Sequence, residues 1–234
     1  MDVSIIIPCV KDRGYLDEAI QSALNQDFQG EYEIILASDG NPELKKVADK
    51  YGIKFSLLKE KGNLSKNQNK AMEIARGKYI KGLADDDLLT PRSLTYLFNY
   101  LSTHSMYAMI YANACRLENN KISPYVYKSR KEPTILNLKK GNFINGGTTM
   151  YHADTLRKIG GRDESIDCAE DIELYVSFLK MGYKIGRVNK YVYKYRIHPD
   201  QKSKKNAKNM NHYRSVKKYI FSNHERHTFN SNNW

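Results

Sequence analysis

Residues 3–24 read VSIIIPCVKDRGYLDEAIQSAL, and the change of period inside this stretch decides the fold. Residues 3–7 are a run of mostly β-branched side chains without polar alternation, the pattern of a strand covered on both faces of a parallel sheet. Tyr15, Ala19, Ile20, Ala23 and Leu24 then recur at helical spacing, so a strand passes into a helix through the loop at residues 8–14.

The same unit returns three times. Residues 33–37 are extended, Asn41-Pro42 supplies an N-cap and first helical residue, Leu44, Val47 and Ala48 form the buried stripe, and Gly52 is the stop. Residues 55–58 make a third strand. Ser65 opens the next helix, with Leu64, Gln68, Ala71, Met72 and Ala75 as its inner face, and Ser65-Lys66-Asn67-Gln68 reads as an S-x-x-Q capping box. Residues 78–83 are the fourth strand, and Thr90-Pro91 caps a helix carrying Leu94, Leu97, Phe98 and Leu101. Four such units predict an α/β domain whose parallel sheet is joined by right-handed crossovers and flanked by helices. The second half is less regular: residues 108–111, 122–127 and 148–151 are strand-like, and a helix over 170–181 closes at Gly182.

A chain of 234 residues suffices for one sizeable core. Its net charge of +12 is uneven, since from Gln201 onward eight Lys/Arg face one acid, Glu225. Three readings of this basic tail stay open. It is a solvated terminus whose helix packs back through Met210, Tyr213, Val216 and Ile220, or it docks on an anionic membrane surface, or it meets nucleic acid. The last is not expected, because no recognisable reading module is present. Three widely spaced cysteines, Cys9, Cys115 and Cys168, fit neither a disulfide framework nor a zinc pattern and point to a reducing compartment. No apolar run approaches the roughly 18 residues of a membrane span, and Met1-Asp2 leads straight into a strand, so neither a span nor a signal peptide is expected.

Ligands of open α/β sheets bind beyond the carboxyl ends of the strands. Two acidic turns fall there: Ser38-Asp39-Gly40-Asn41 after the second strand, and LADDDLLTP, residues 83–91, after the fourth. One aspartate in a turn is an ordinary turn or cap residue. Three adjacent carboxylates repel one another unless a cation offsets them, and Mg²⁺ or Mn²⁺ takes oxygen ligands while leaving positions open for phosphates. A metal and a diphosphate are therefore expected at Asp85, Asp86 and Asp87.

Six stretches, in order, resemble the inverting GT-A fold glycosyltransferases of family 2, over residues 3 to about 203. They are VSIIIPCVKDRGYLDEAIQSALNQDF, EYEIILASDGNPE, ARGKYIKGLADDDLLTPRSL, INGGTTMYHADTLRKIGGRDESI, AEDIELYVSFLKMGYKI and YRIHPDQKS. The resemblance implies a Rossmann-like single domain over 1–200 with a mostly parallel central sheet. Its nucleotide-binding half is about 1–90 and its acceptor-binding half about 91–200, with 201–234 as the tail. It implies metal-dependent, inverting transfer of a hexosyl or N-acetylhexosaminyl group from a nucleotide-diphosphate sugar, with a UDP-sugar as the expected donor. The acceptor is a hydroxyl of a glycan or lipid-linked saccharide.

Carried over residue by residue, Asp39 accepts the N3–H of uracil, consistent with a carboxylate's acceptor-only chemistry. Asp85 lies near the ribose, and Pro8, Lys66 and Gln68 complete the donor-binding set with Asp86. Mn²⁺ or Mg²⁺ falls to Asp86, Asp87 and His198, and which of the three aspartates ligates it stays open. Asp171 is the general base, with Glu170 as the neighbour that could be mistaken for it. Three departures stand out: Ala84 replaces the first acid of the usual DxD, Ser38 replaces another acid, and Gln68 stands where the family carries an arginine. The phosphate charge then falls to the metal, to Lys66 or to the C-terminal segment. Gly146-Gly147-Thr148-Thr149 falls near the donor sugar without naming it. The setting implied is cytoplasmic, with the tail allowing a peripheral place at the inner face of the membrane.

Two other classes fit the sequence less well. A sugar-nucleotide nucleotidyltransferase would want a glycine-rich phosphate loop after the first strand, which residues 8–14 do not supply. A non-catalytic carbohydrate- or nucleic-acid-binding module leaves Asp86, Asp171 and His198 without a reason.

Overall fold

The computed structural model describes residues 1–119, 121–123, 132–201 and 209–222. Strand β1 (Val3–Cys9) pairs in parallel with β2 (Tyr32–Asp39) and with β4 (Tyr79–Gly82), and β2 pairs in parallel with β3 (Lys54–Leu58). Alternate residues of β1 separate two cores. Val3, Ile5 and Ile7 join α1 (Leu16–Leu24), α2 (Leu44–Tyr51) and α4 (Ser93–Thr103), whereas Ile6 joins α3 (Leu64–Met72) and α7 (Glu170–Lys180). That double covering is why the run carries almost no polar residue. Its exception, Ser4, donates its hydroxyl to buried Glu33 at 2.6 Å. Each fully buried aliphatic side chain here contributes roughly 1.5–3 kcal/mol.

The complete sheet has the order β3-β2-β1-β4-β8-β6-β9-β5, with β7 (Lys121–Ser123) attached to β6. Beyond β4 it becomes mixed. β8 (Met150–His152) runs antiparallel to β4 and to β6 (Tyr107–Glu118), β9 (Lys184–Arg196) runs parallel to β6, and the two-residue β5 (Leu88–Leu89) runs antiparallel to β9. The carboxyl ends of β1, β2 and β4 thus open on one edge, beside the point where strand direction changes.

Several helix starts differ from expectation. Asn63 caps α3, its Oδ1 accepting the Lys66 amide at 2.9 Å, so the capping box at Ser65 does not form. Asn63 also donates to the Glu164 carbonyl at 2.8 Å, which fixes it in the capping position. The buried face of α3 shifts to Ser65, Asn67, Asn69, Ala71 and Met72, and Gln68 turns toward the carboxyl edge. Asn41 accepts the Glu43 amide in a turn and α2 begins at Leu44, while a turn at Thr90 precedes α4 at Ser93. The inner stripe of α1 is Leu16, Ala19, Ile20 and Ala23, and Tyr15 and Leu24 lie outside it.

The tail helix expected from Met210, Tyr213, Val216 and Ile220 is α8 (Met210–Phe221), the last of the eight described α-helices. Ile220 is fully buried with Tyr213 and Val216 packed beside it, and Met210 stays exposed. His212 Nε2 lies 3.0 Å from both carboxylate oxygens of Asp167, tying α8 to the loop before α7. Residues 202–208 and 223–234 of the basic tail, and 124–127 of the strand expected at 122–127, lie outside the described residues. Among the described residues no helix is long and apolar enough to cross a membrane.

Candidate active site

The carboxyl edge opens into a cleft of about 650 Å³ lined by Pro8, Asp39, Gln68, Asp85, Asp86, Asp87 and Asp171, among others. At one end, Asp39 closes β2 with Oδ1 already accepting the Gly62 amide at 2.8 Å. Gly40, at φ 71°, makes the turn away from the strand. The loop after β3 brings Lys61, Gly62 and Asn63 to the cleft. Lys66, expected there, is exposed on α3 and is not among the lining residues; Lys61 is.

The three aspartates occupy distinct environments. Burial pushes Asp85 up to about 6, with Asp86 adding to the effect and the Cys9 thiol and Arg13 opposing it; Arg13 Nη1 lies 3.7 Å from Asp85 Oδ2. Asp86 Oδ2 lies 2.9 Å from His198 Nε2. Asp87 is buried behind them, where Oδ1 accepts the Arg196 amide at 2.7 Å and the Tyr193 hydroxyl makes a further bond. Burial and then Asp86 hold the Asp87 carboxyl well above the usual carboxylate range.

Arg196 braces this turn. Its Nε donates to the Asp86 carbonyl at 2.8 Å, Nη2 meets Glu18 at 2.9 Å, and its guanidinium lies over the Tyr15 ring. Lys81, with no exposed surface, donates to the Gly82 carbonyl at 2.6 Å and to the Gly147 carbonyl, joining β4 to the Gly146–Thr148 turn. Burial lowers its pKa to about 7 against the pull of Asp87.

A divalent cation fits the donors present. Asp86 and His198 converge from distant parts of the chain; the Asp86 carboxylate is the oxygen donor that Mn²⁺ or Mg²⁺ takes, and the imidazole beside it is a donor better matched to softer divalent ions. His198 is 5% exposed, and its buried Nδ1 has no hydrogen-bond partner among the described residues.

Across the cleft, Asp171 stands in the first turn of α7, behind Ala169 in a left-handed conformation. Its Oδ1 accepts Arg162 Nη1 at 3.1 Å, and its Oδ2 lies against Gly146 so closely that a Cβ there would come within 2.1 Å. Glu170 is buried and does not line the cleft. Sequence reading missed Arg162, Arg13, Lys61, Lys81 and Tyr193, none of which carries a recurrent spacing. Arg162 is the arginine that lies beside Gln68, lining the same small cavity.

The mixed α/β sheet, opening at its carboxyl edge on a triplet of aspartates, has the architecture of the GT-A fold. The model of the glycosyl transferase family 2 matches residues 4–160, and the chain belongs to that family. A glycosyltransferase of Rickettsia prowazekii, RP339, otherwise uncharacterised, is 30% identical over 208 residues, 85% of this chain and 65% of that protein. The minor teichoic acid biosynthesis protein GgaB of Bacillus subtilis is 27% identical over 213 residues, 86% of this chain and 24% of its own length. The crystal structure of S. aureus TarS 1-349 in complex with UDP-GlcNAc superposes with a TM-score of 0.69 at 20% identity, covering 86% of this chain and 60% of that one. The chain thus spans less than two thirds of the length of each of these relatives.

Proposed function

We propose that this chain transfers a sugar from a UDP-sugar to a hydroxyl of a glycan or lipid-linked acceptor, with inversion and with Mn²⁺ or Mg²⁺ as cofactor. The observation that carries the proposal is that Asp39, Asp86 and Asp171 line one cleft, with Arg162 holding Asp171 and buried His198 bonded to Asp86 from behind the lining. In this reading the free oxygen of Asp39 reads the uracil N3–H, Pro8 and Gln68 line the nucleotide, and Asp85 meets the ribose. Asp86 and His198 hold the metal with Asp87 as their support. Bound there, a divalent cation neutralises the leaving diphosphate.

Asp171 Oδ2 takes the proton from the acceptor hydroxyl as it attacks the anomeric carbon opposite the departing UDP, and a single displacement inverts that centre. A carboxylate is a weak base toward a free alcohol, but the hydroxyl becomes acidic late in an oxocarbenium-like transition state. The UDP-GlcNAc bound to TarS and the teichoic acid role in the name of GgaB support a nucleotide-sugar donor and a surface-polymer setting. For this chain a cytoplasmic site, with the basic tail at an anionic membrane face, belongs to the same proposal.

Calorimetry with UDP in the presence and absence of Mn²⁺, followed by a hydrolysis screen of UDP-glucose, UDP-galactose and their N-acetyl forms, tests it. Metal-dependent UDP affinity and slow hydrolysis of one donor are expected. UDP affinity indifferent to metal and no hydrolysis of any donor would overturn it.

A further inference from the structure

Arg162 reaches the cleft through a stitched backbone. Asn69 on α3 accepts the Arg162 amide at 2.9 Å and donates to the Arg162 carbonyl at 2.8 Å. Gly161, at φ 72°, permits that approach, since a Cβ there would meet Asn69 Oδ1 at 2.6 Å. The guanidinium is therefore delivered from a fixed base, and its side chain is only 10% exposed. Its bond to Asp171 Oδ1 occupies one carboxylate oxygen and leaves Oδ2 over Gly146, facing the cleft.

We propose that Arg162 is the positioning residue of the reaction: by holding Oδ1 of Asp171 it turns Oδ2 toward the attacking hydroxyl and keeps the carboxylate from rotating. This rests on the reading of Asp171 as the base. Arg suits the task because its planar, always-charged fork fixes a carboxylate's orientation as well as its charge, whereas lysine offers a single point charge on a flexible stem. Rotation of the carboxylate by even about 1 Å at the reacting oxygen is enough to cost roughly 10²-fold in rate. Burial opposes the charge of Arg162, but a guanidinium stays protonated in proteins and here it faces the Asp171 carboxylate at 3.1 Å.

The test uses the full chain with Mn²⁺ and whichever of UDP-glucose, UDP-galactose and their N-acetyl forms the parent hydrolyses fastest, read as UDP release. Arg162→Met and Arg162→Ala are expected to lose about 10²-fold in kcat. Their Mn²⁺-dependent Kd for UDP should stay within about twofold, because an interaction made only at the reacting centre leaves ground-state binding alone. Guanidinium chloride at tens of millimolar should restore Arg162→Ala severalfold, whereas sodium chloride at equal ionic strength should not. Arg162→Lys, which keeps charge and bulk, guards against a folding defect and should recover only part of the rate.

Parental kcat in Arg162→Met overturns the proposal. So does loss of UDP affinity with kcat preserved, which would make Arg162 a donor ligand, and so does the absence of guanidinium rescue in a variant whose thermal midpoint is parental. The underlying reading fails separately: Asp171→Asn at parental rate removes the base whatever Arg162 does.

Discussion

His198 Nε2 lies 2.9 Å from Asp86 Oδ2 across 112 residues of chain, and Arg196, two residues earlier, bonds through its amide to Asp87 and through its side chain to the Asp86 carbonyl. The end of β9 is thus sewn to the turn after β4 at three points. If that pair holds the metal, His198→Ala should weaken Mn²⁺-dependent UDP binding about tenfold or more and leave metal-free binding unchanged. Asp86→Ala should abolish the metal-dependent part, with no loss of fold, because removing one of three crowded carboxylates relieves repulsion. Isothermal titration with and without Mn²⁺ reads both, and an unaltered metal increment in Asp86→Ala would move the site elsewhere.

Gly146 has no room for a side chain. A methyl group would meet Asp171 Oδ2 at 2.1 Å, so Gly146→Ala must displace the carboxylate, the turn, or both. Transfer or donor hydrolysis should fall about 10²-fold while the thermal midpoint drops only a few degrees. Retention of the parental rate would mean that Asp171 has latitude the geometry denies it.

The parallel half was legible because its strands are buried on both faces and announce themselves as apolar runs; the period of β1 alone fixed where the helices must lie. Strand β9 was not. It alternates Lys184, Asn189, Lys190 and Lys194 with Ile185, Val188 and Val192, is irregular where it pairs with β6, and owes its strand form to pairing with β6. The chemistry of the site divided along the same line. Aspartates in turns after strands could be located from local pattern, whereas Asp171 was singled out only by the resemblance to the family, an acid at a helix start being ordinary by itself. Arg162 and Lys81 act through contacts that sequence separation hides, Arg162 through Asn69, 93 residues before it, and Lys81 through Gly147, 66 residues after it. The capping box at Ser65 failed for a local reason: Asn63, two residues earlier, is an equally good cap and gains a second bond to Glu164.

Glu33 supplies a pH-dependent part of the stability, remote from the cleft. Its carboxylate accepts the Ser4 hydroxyl and the Arg76 amide, each at 2.6 Å, and faces Lys54 Nζ at 2.7 Å. Burial pushes this carboxyl up, but the bonds from Lys54, Ser4 and Arg76 together outweigh it and hold it below its usual range. A depressed carboxyl stabilises the fold above its unfolded pKa of about 4.5, and that contribution disappears as pH falls through the folded value. Glu33→Gln should therefore be less stable than the parent by on the order of 1–2 kcal/mol at pH 7, with the gap narrowing as pH falls below the unfolded value. Urea midpoints at pH 7, 5, 4 and 3 measure it, and a gap that does not narrow on acidification would assign the loss to packing.

Asp171 separates chemistry from binding. Asp171→Asn keeps the shape, and its carbonyl can still accept from Arg162, but the atom over Gly146 becomes an amide with no basicity. Donor hydrolysis or transfer should fall by roughly 10²-fold or more while UDP affinity stays near parental, the signature of a group used only in the transition state. Glu170→Gln is the internal control: Glu170 is buried outside the cleft, so its loss should act on stability and spare the rate. An acid in the first turn of a helix also stabilises it by about 0.3–1 kcal/mol, so thermal midpoints of both variants must accompany the kinetics. If Asp171→Asn turns over at the parental rate, or if Glu170→Gln alone is dead at an unchanged midpoint, the base lies one residue earlier and α7 must rotate in the donor complex to present it.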